Sequence, residues 1–318
     1  MVERIIIDCD PGHDDALAIL LAAGDPRIDL VAVTTCAGNQ TLDKVTANAL
    51  SICTAAGIDV PVAAGASMPL VRPQIVAPEI HGATGLDGPA MPVPTRTLDP
   101  RHAVDVIIDE VMRSEPGTIS LVPVGPLTNI ALAMRTEPRI VERVKRVVLM
   151  GGAYTRGNRT PAAEFNILAD PEAAHAVFAA PWDVTMVGLD LTHQAVATPE
   201  VVERIAAIGS PLSRIVVDIL TFFGETYREQ FGFDAPPVHD LCAVAALCDP
   251  AVLQTRDAFV VVELAGTWTS GMTVTDFGTA LGQAHNTKVA VTLDATRLWN
   301  MTVDAIAALS ATDQKGSR

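Results

Sequence analysis

The stretch Arg4-Ile5-Ile6-Ile7-Asp8-Cys9-Asp10-Pro11-Gly12-His13-Asp14-Asp15, followed by Ala16-Leu17-Ala18-Ile19-Leu20-Leu21-Ala22-Ala23, decides the fold. Residues 4–8 are a short β-branched run, which predicts a strand. Residues 10–15 gather turn formers and carboxylates, and residues 16–23 are strong helix formers. The unit therefore reads strand, loop, helix. The alternation continues outward from it. Strands are expected at 28–36, 118–122, 146–150 and 184–187, and helices from Thr41 to about Ala56 and at 104–112, 126–134, 171–179, 210–231 and 239–248. Residues 259–264 and 288–293 read as late strands, possible members of an antiparallel edge. Near-continuous apolar strands between amphipathic helices indicate a mostly parallel central sheet covered on both faces. The expectation is an α/β protein with one domain over residues 1–318. The Pro-rich stretch 68–100 is the longest irregular region and a candidate mobile loop.

Composition narrows the function. With 22 Lys and Arg against 37 Asp and Glu, the formal charge is −15, which repels nucleic-acid backbones and anionic membranes. A small neutral substrate remains compatible. The five cysteines, Cys9, Cys36, Cys53, Cys242 and Cys248, form no CxxC pair, so reduced, mostly buried thiols of a cytoplasmic protein are expected. The acidic N-terminus does not read as a signal peptide, and the apolar run 16–23 is too short to span a bilayer.

Four carboxylates, Asp8, Asp10, Asp14 and Asp15, fall within eight residues at the carboxyl end of the first strand, where open α/β sheets bind ligands. Such a cluster is costly without a cation, and a hard divalent ion takes oxygen ligands. Helix capping accounts for Asp14 or Asp15, not for the whole set.

The same segment resembles the Asp-x-Asp-Pro-Gly-x-Asp-Asp signature of the inosine-uridine nucleoside hydrolase family. The likeness continues through Thr34-Thr35, Gly38-Asn39, Ile80-His81-Gly82, residues 123–129, Leu149-Met150-Gly151-Gly152, Ala163-Glu164-Phe165-Asn166, Asp170-Pro171-Glu172, residues 188–192 and Val238-His239-Asp240. It implies the nucleoside hydrolase fold, a Rossmann-like sheet flanked by helices. It also implies hydrolysis of the N-glycosidic bond of ribonucleosides. Ca2+ would be held by Asp10, Asp15, Asp240 and the backbone carbonyl of Val124, with Asp10 deprotonating the attacking water. Asp14 and Asn39 would bind ribose hydroxyls, Asn158, Glu164 and Asn166 would line the 2′, 3′ and 5′ region, and Met150 would lie beneath the sugar, with Phe165 beside it. His239 and His81 would assist departure of the base, and Phe223 and Tyr227 would face it. A cytoplasmic homo-oligomer, dimer or homotetramer, serving purine and pyrimidine salvage follows from the same likeness.

Each residue also has a plainer reading. Asp240 suits an N-cap, Asn39 and Asn158 suit turns, Met150 and Phe165 suit core packing, and Phe223, Tyr227 and Phe231 form a four-residue stripe that a core would also produce. Two other functions stay open at this point. One is a magnesium-dependent phosphohydrolase of the haloacid-dehalogenase type, although Pro11-Gly12-His13 follows the second Asp and no Arg or Lys lies in 8–24. The other is a sugar- or calcium-binding protein, which leaves His239 and His81 without a role.

Overall fold

A computed structural model describes residues 2–316. The chain opens with β1 (Glu3–Cys9), α1 (His13–Gly24), β2 (Ile28–Thr35), α2 (Leu42–Ala55) and β3 (Val62–Ala64). After a one-turn helix α3 (Pro78–His81) come α4 (Ala103–Arg113), β4 (Ile119–Pro123), α5 (Thr128–Thr136), α6 (Ile140–Arg143) and β5 (Arg146–Met150). Then follow α7 (Phe165–Ala169), α8 (Pro171–Ala179), β6 (Val184–Val187), α9 (Leu189–Thr192), α10 (Pro199–Ala206), α11 (Pro211–Phe231) and α12 (Leu241–Cys248). The chain ends with β7 (Leu253–Val262), β8 (Thr273–Asp276), β9 (Thr287–Leu293) and α13 (Ala295–Gly316).

The strands form one sheet in the order β3-β2-β1-β4-β5-β6-β9-β7-β8. Pairing is parallel from β3 through β9, and β7 and β8 close the sheet antiparallel. The mostly parallel α/β architecture is thus as expected. The two late strands pair antiparallel with each other, β7 with β9, as expected; β9 also joins the parallel part through β6, and the edge strand itself is β8. Strand β7 begins in the polar run Leu253-Gln254-Thr255-Arg256, which hydrophobic alternation does not flag.

The triple isoleucine of β1 explains why the sheet is central. Ile5 and Ile7 join the core beneath α1, α12 and α13, whereas Ile6 joins the opposite core with Ile107 of α4 and Ile130 of α5. A strand buried on both faces reads as unbroken apolar sequence. Helix α1 is buried nearly all round, from His13 to Ala22, because α12 and α13 cover its far side. The stretch 68–100 is irregular apart from α3, whose Ile80 packs with Ala77 and Ile75 against Phe165 and Ala169. Among the described residues no helix is long and apolar enough to cross a membrane, and the five cysteines are buried and unpaired.

The chain leaves β1 toward β2 on one side and returns to β4 on the other. Strand order therefore reverses beside β1, and the carboxyl ends of β1, β2 and β4 open a crevice there.

Candidate active site

That crevice holds the carboxylates. Gly12 caps α1, and Asp15, three residues on, reaches back to accept the N–H groups of Gly12 at 2.9 Å and Asp10 at 3.2 Å. The capping reading of Asp15 is therefore real, but it does not exhaust the residue. One oxygen from each of Asp14, Asp15 and Asp240 lies within 4.8 Å of the others, and all three side chains are buried. Asp240 occupies the N-cap position of α12 yet makes no side-chain capping bond, so its carboxylate is free to face the cluster. The apolar Leu241-Cys242-Ala243-Val244 turn that follows is buried in the core beside α1, and this fixes where Asp240 sits.

Asp10 adjoins this trio rather than belonging to its tightest group. Its Oδ2 accepts the backbone N–H of Asn39 at 2.6 Å, and its buried Oδ1 has no partner. Two glycines crowd it. A Cβ at Gly38 would stand 2.1 Å from Asp10 Oδ2, and one at Gly125 would stand 2.5 Å from Oδ1. Neither contact is tolerable, so only glycine leaves the carboxylate in place. We expect Gly125→Ala to lower kcat about 10²-fold by displacing Asp10, with the far-ultraviolet circular dichroism spectrum unchanged; unaltered kcat would contradict that close approach.

Electrostatics are strained throughout. Burial first, and then Asp15, pushes Asp14 up to about 8. Burial raises Asp15 to about 6, and its carboxyl lies within hydrogen-bonding reach of that of Asp240. Asp10 and Asp240 are held well above the usual carboxylate range, by burial and then by their acidic neighbours. Like charges brought together out of water favour protonation or a cation. An unpartnered Asp10 oxygen beside three converging carboxylates is an oxygen donor set that fits a hard divalent ion. The carbonyl of Val124, also at the cavity wall, accepts Asn166 Nδ2 at 2.7 Å.

The remaining residues line one cavity above the acids. Asn39 donates from Nδ2 to the Asp10 carbonyl at 3.2 Å and Asp15 Oδ2 at 3.3 Å, so its side chain ties β1 to α1 rather than serving a turn. Asn158 Oδ1 accepts the Phe165 N–H at 3.0 Å. Glu164 caps α7, accepting the N–H of Asn166 at 2.9 Å, and Gly152 N–H donates to it at 2.9 Å; burial raises its carboxyl to about 7. Met150 is buried, with its carbonyl 3.1 Å from Asn166 Nδ2. Phe165, Phe223, Tyr227 and Phe231 supply the aromatic wall, and Arg159 pairs with Glu79 of α3 at the rim.

The two histidines expected to serve the site both line this cavity. His239 Nδ1 meets the Thr192 hydroxyl at 2.7 Å and Nε2 meets the Tyr227 hydroxyl at 2.6 Å. Burial pushes His239 down to about 3, so the ring rests neutral. Thr192, at the end of the matched run 188–192, and His13 have no role assigned by the sequence. His13 occupies the signature's variable position, yet its side chain is buried against His81.

The fold and this crevice define an enzyme of the nucleoside hydrolase class. Residues 5–300 match the family described as inosine-uridine preferring nucleoside hydrolase, and the chain belongs to that family. It is 52% identical over 308 residues to the inosine-uridine preferring nucleoside hydrolase of Crithidia fasciculata, covering 96% of this chain and 98% of the relative. It is 48% identical over 303 residues to the pyrimidine-specific ribonucleoside hydrolase RihB of Escherichia coli, covering 95% and 96%. Among solved structures, a purine-preferring ribonucleoside hydrolase from Gardnerella vaginalis superposes with a TM-score of 0.91 at 32% identity, covering 98% of this chain and all of that one. The chain is thus a ribonucleoside N-glycosidase, and the phosphohydrolase and binding-protein readings fall away.

Proposed function

We propose that the chain hydrolyses ribonucleosides with a water deprotonated by Asp10, with calcium held in the acidic cluster, over a range that admits purines as well as pyrimidines. The observation carrying this reading is the convergence of Asp14, Asp15 and Asp240 beside the unpartnered Oδ1 of Asp10. Asp10, Asp15, Asp240 and the Val124 carbonyl would hold the ion. Asp14 lies close enough to share in it as well as to bind ribose. Calcium would neutralise the cluster and lower the pKa of a water bound to it.

The chain's own residues supply the rest. Asp10 accepts the proton of the attacking water, a role its unpaired oxygen leaves open. Carboxylates about the anomeric carbon stabilise the developing oxocarbenium charge. Asp14 and Asn39, with Asn158, Glu164 and Asn166, grip the ribose hydroxyls, and Met150 and Phe165 pack against the sugar. A site built on such bonds should reject 2′-deoxynucleosides. Phe223 and Tyr227 pack against the base. Hydrolysis of inosine and uridine without phosphate, lost with EDTA and regained with calcium, tests the reading as a whole; turnover undiminished by EDTA would defeat the metal assignment.

The leaving base is served by the Tyr227–His239 pair: His239, neutral at rest, takes up a proton from solvent as the bond weakens, hands one on through the Tyr227 hydroxyl 2.6 Å away to the departing base, and returns to neutral. His239→Ala should slow inosine about 10²- to 10⁴-fold, the usual worth of general acid catalysis. The same variant should act nearly normally on 4-nitrophenyl riboside, whose aglycone leaves without a proton. Equal losses on both substrates would assign His239 to structure instead.

A further inference from the structure

Two buried histidines meet beside the acidic cluster, and their proton positions can be read from their partners. His13, the first residue of α1, places Nε2 2.8 Å from the carbonyl oxygen of Asp87. A carbonyl only accepts, so Nε2 carries the proton. The His13 ring lies flat on Phe222 and Phe223, with centroids 5.1 and 5.2 Å away and planes within 6° and 4°. The Asp87 carboxylate is turned instead to the N–H groups of Ala83 and Thr84. Buried among rings, with no carboxylate oxygen bonded to it, His13 is neutral, and its Nδ1 is a lone pair.

That lone pair lies 3.1 Å from Nδ1 of His81. His81 must therefore donate from Nδ1, and a neutral imidazole has only one N–H. The backbone N–H of His13 also points at His81 Nδ1, at 3.4 Å. If His81 Nδ1 accepted that N–H instead, two ring lone pairs would face each other at 3.1 Å unless buried His13 carried both ring protons, so the shorter contact sets the tautomer. His81 lines the cavity, and among the described residues its Nε2 has no protein partner.

We propose that His13 is a positioning residue that locks His81 as its Nδ1–H tautomer, so that a bare Nε2 faces the bound base and selects bases bearing a ring N–H. Such bases are the lactams hypoxanthine, guanine and uracil. Adenine and cytosine present a ring lone pair in the corresponding place and would set two acceptors face to face, which costs a hydrogen bond and a desolvated nitrogen. His81 then serves recognition, and proton donation falls to the Tyr227–His239 pair. This inference rests on the ribonucleoside reading above and refines its substrate class.

The test is nitrogen-15 NMR of the histidine rings in the full chain without ligand, joined to kinetics. In the wild type, His81 should be protonated at Nδ1 and bare at Nε2. His13→Leu keeps the packing on Phe222 and Phe223 but removes the acceptor, and should shift His81 toward the Nε2–H tautomer. His13→Asn offers Oδ1 where Nδ1 stood, and should restore it. The ratio of kcat/KM for inosine over adenosine should fall roughly tenfold in His13→Leu and recover in His13→Asn. A wild-type His81 protonated at Nε2 overturns the proposal without any variant, as does an unchanged ratio in a folded His13→Leu protein. Failure to release base from either nucleoside would instead sink the hydrolase reading, while the NMR spectrum still reports the tautomer.

Discussion

Replacing Asp10 with alanine is expected to lower kcat on inosine by at least ~10³-fold, because on the proposed reading one carboxylate would supply both a proton acceptor and an ion ligand. The fold should survive the loss. The Asp10 side chain accepts a single bond, from the Asn39 backbone N–H, and its other oxygen is unpartnered. Asp10→Asn separates the two duties. The amide oxygen can still accept the Asn39 N–H, so the loop keeps its shape, but an amide takes no proton from water. Its kcat should fall nearly as far, with KM changed little. Retention of more than a tenth of the activity in Asp10→Ala would remove Asp10 from the reaction, and Asp14 or Asp240 would become the base to test.

Much of this was legible in the residues, and the part that was not has physical reasons. The β1–loop–α1 unit could be read because Ile5-Ile6-Ile7 is apolar on both faces and Asp10-Pro11-Gly12 stops it sharply. Strand β3 has only three residues, and α3 is a single turn inside Pro-rich sequence, so neither offers a period to detect. Helix α10 is short, and α13 lies beyond the last matched motif, Val238-His239-Asp240. At the site, the motif named the acids, but spacing could not say which of them meet. Asp14 joins Asp15 and Asp240 because the first turn of α1 and the start of α12 are packed together by Leu17, Val244 and their neighbours. Likewise His13 reads as a loop residue until α3 is folded over it, which is a tertiary event. Gly38 and Gly125 look like turn glycines, and only the position of the Asp10 carboxylate reveals that they are there for clearance.

The acidic cluster should also be visible as stability, independent of turnover. In the metal-free protein the folded-state values of Asp14 and Asp15, about 8 and about 6, lie above the ordinary 3.8 that an unfolded chain restores. A group raised on folding stabilises while protonated in the folded state. That contribution is complete below about pH 4 and disappears as the pH climbs through 6 to 8. The metal-free protein should therefore melt lower at pH 8 than at pH 5.5. On the proposed reading calcium would bind the folded chain and not the unfolded one, so at about 100 times its Kd it would add ~2.7 kcal/mol. For a chain of this size that raises Tm by roughly 5 °C or more, and the rise should be larger at pH 8, where the carboxylates are ready to bind. Asp240→Asn removes one charge from the crowd. It should melt above the wild type in EDTA at pH 8, yet lose most of the calcium-induced rise and most of its activity. Thermal melts of both proteins with EDTA and with calcium settle the point. Equal calcium shifts in the two would show that Asp240 does not touch the ion, and a lower melt for Asp240→Asn in EDTA would mean that its carboxylate serves the fold rather than straining it.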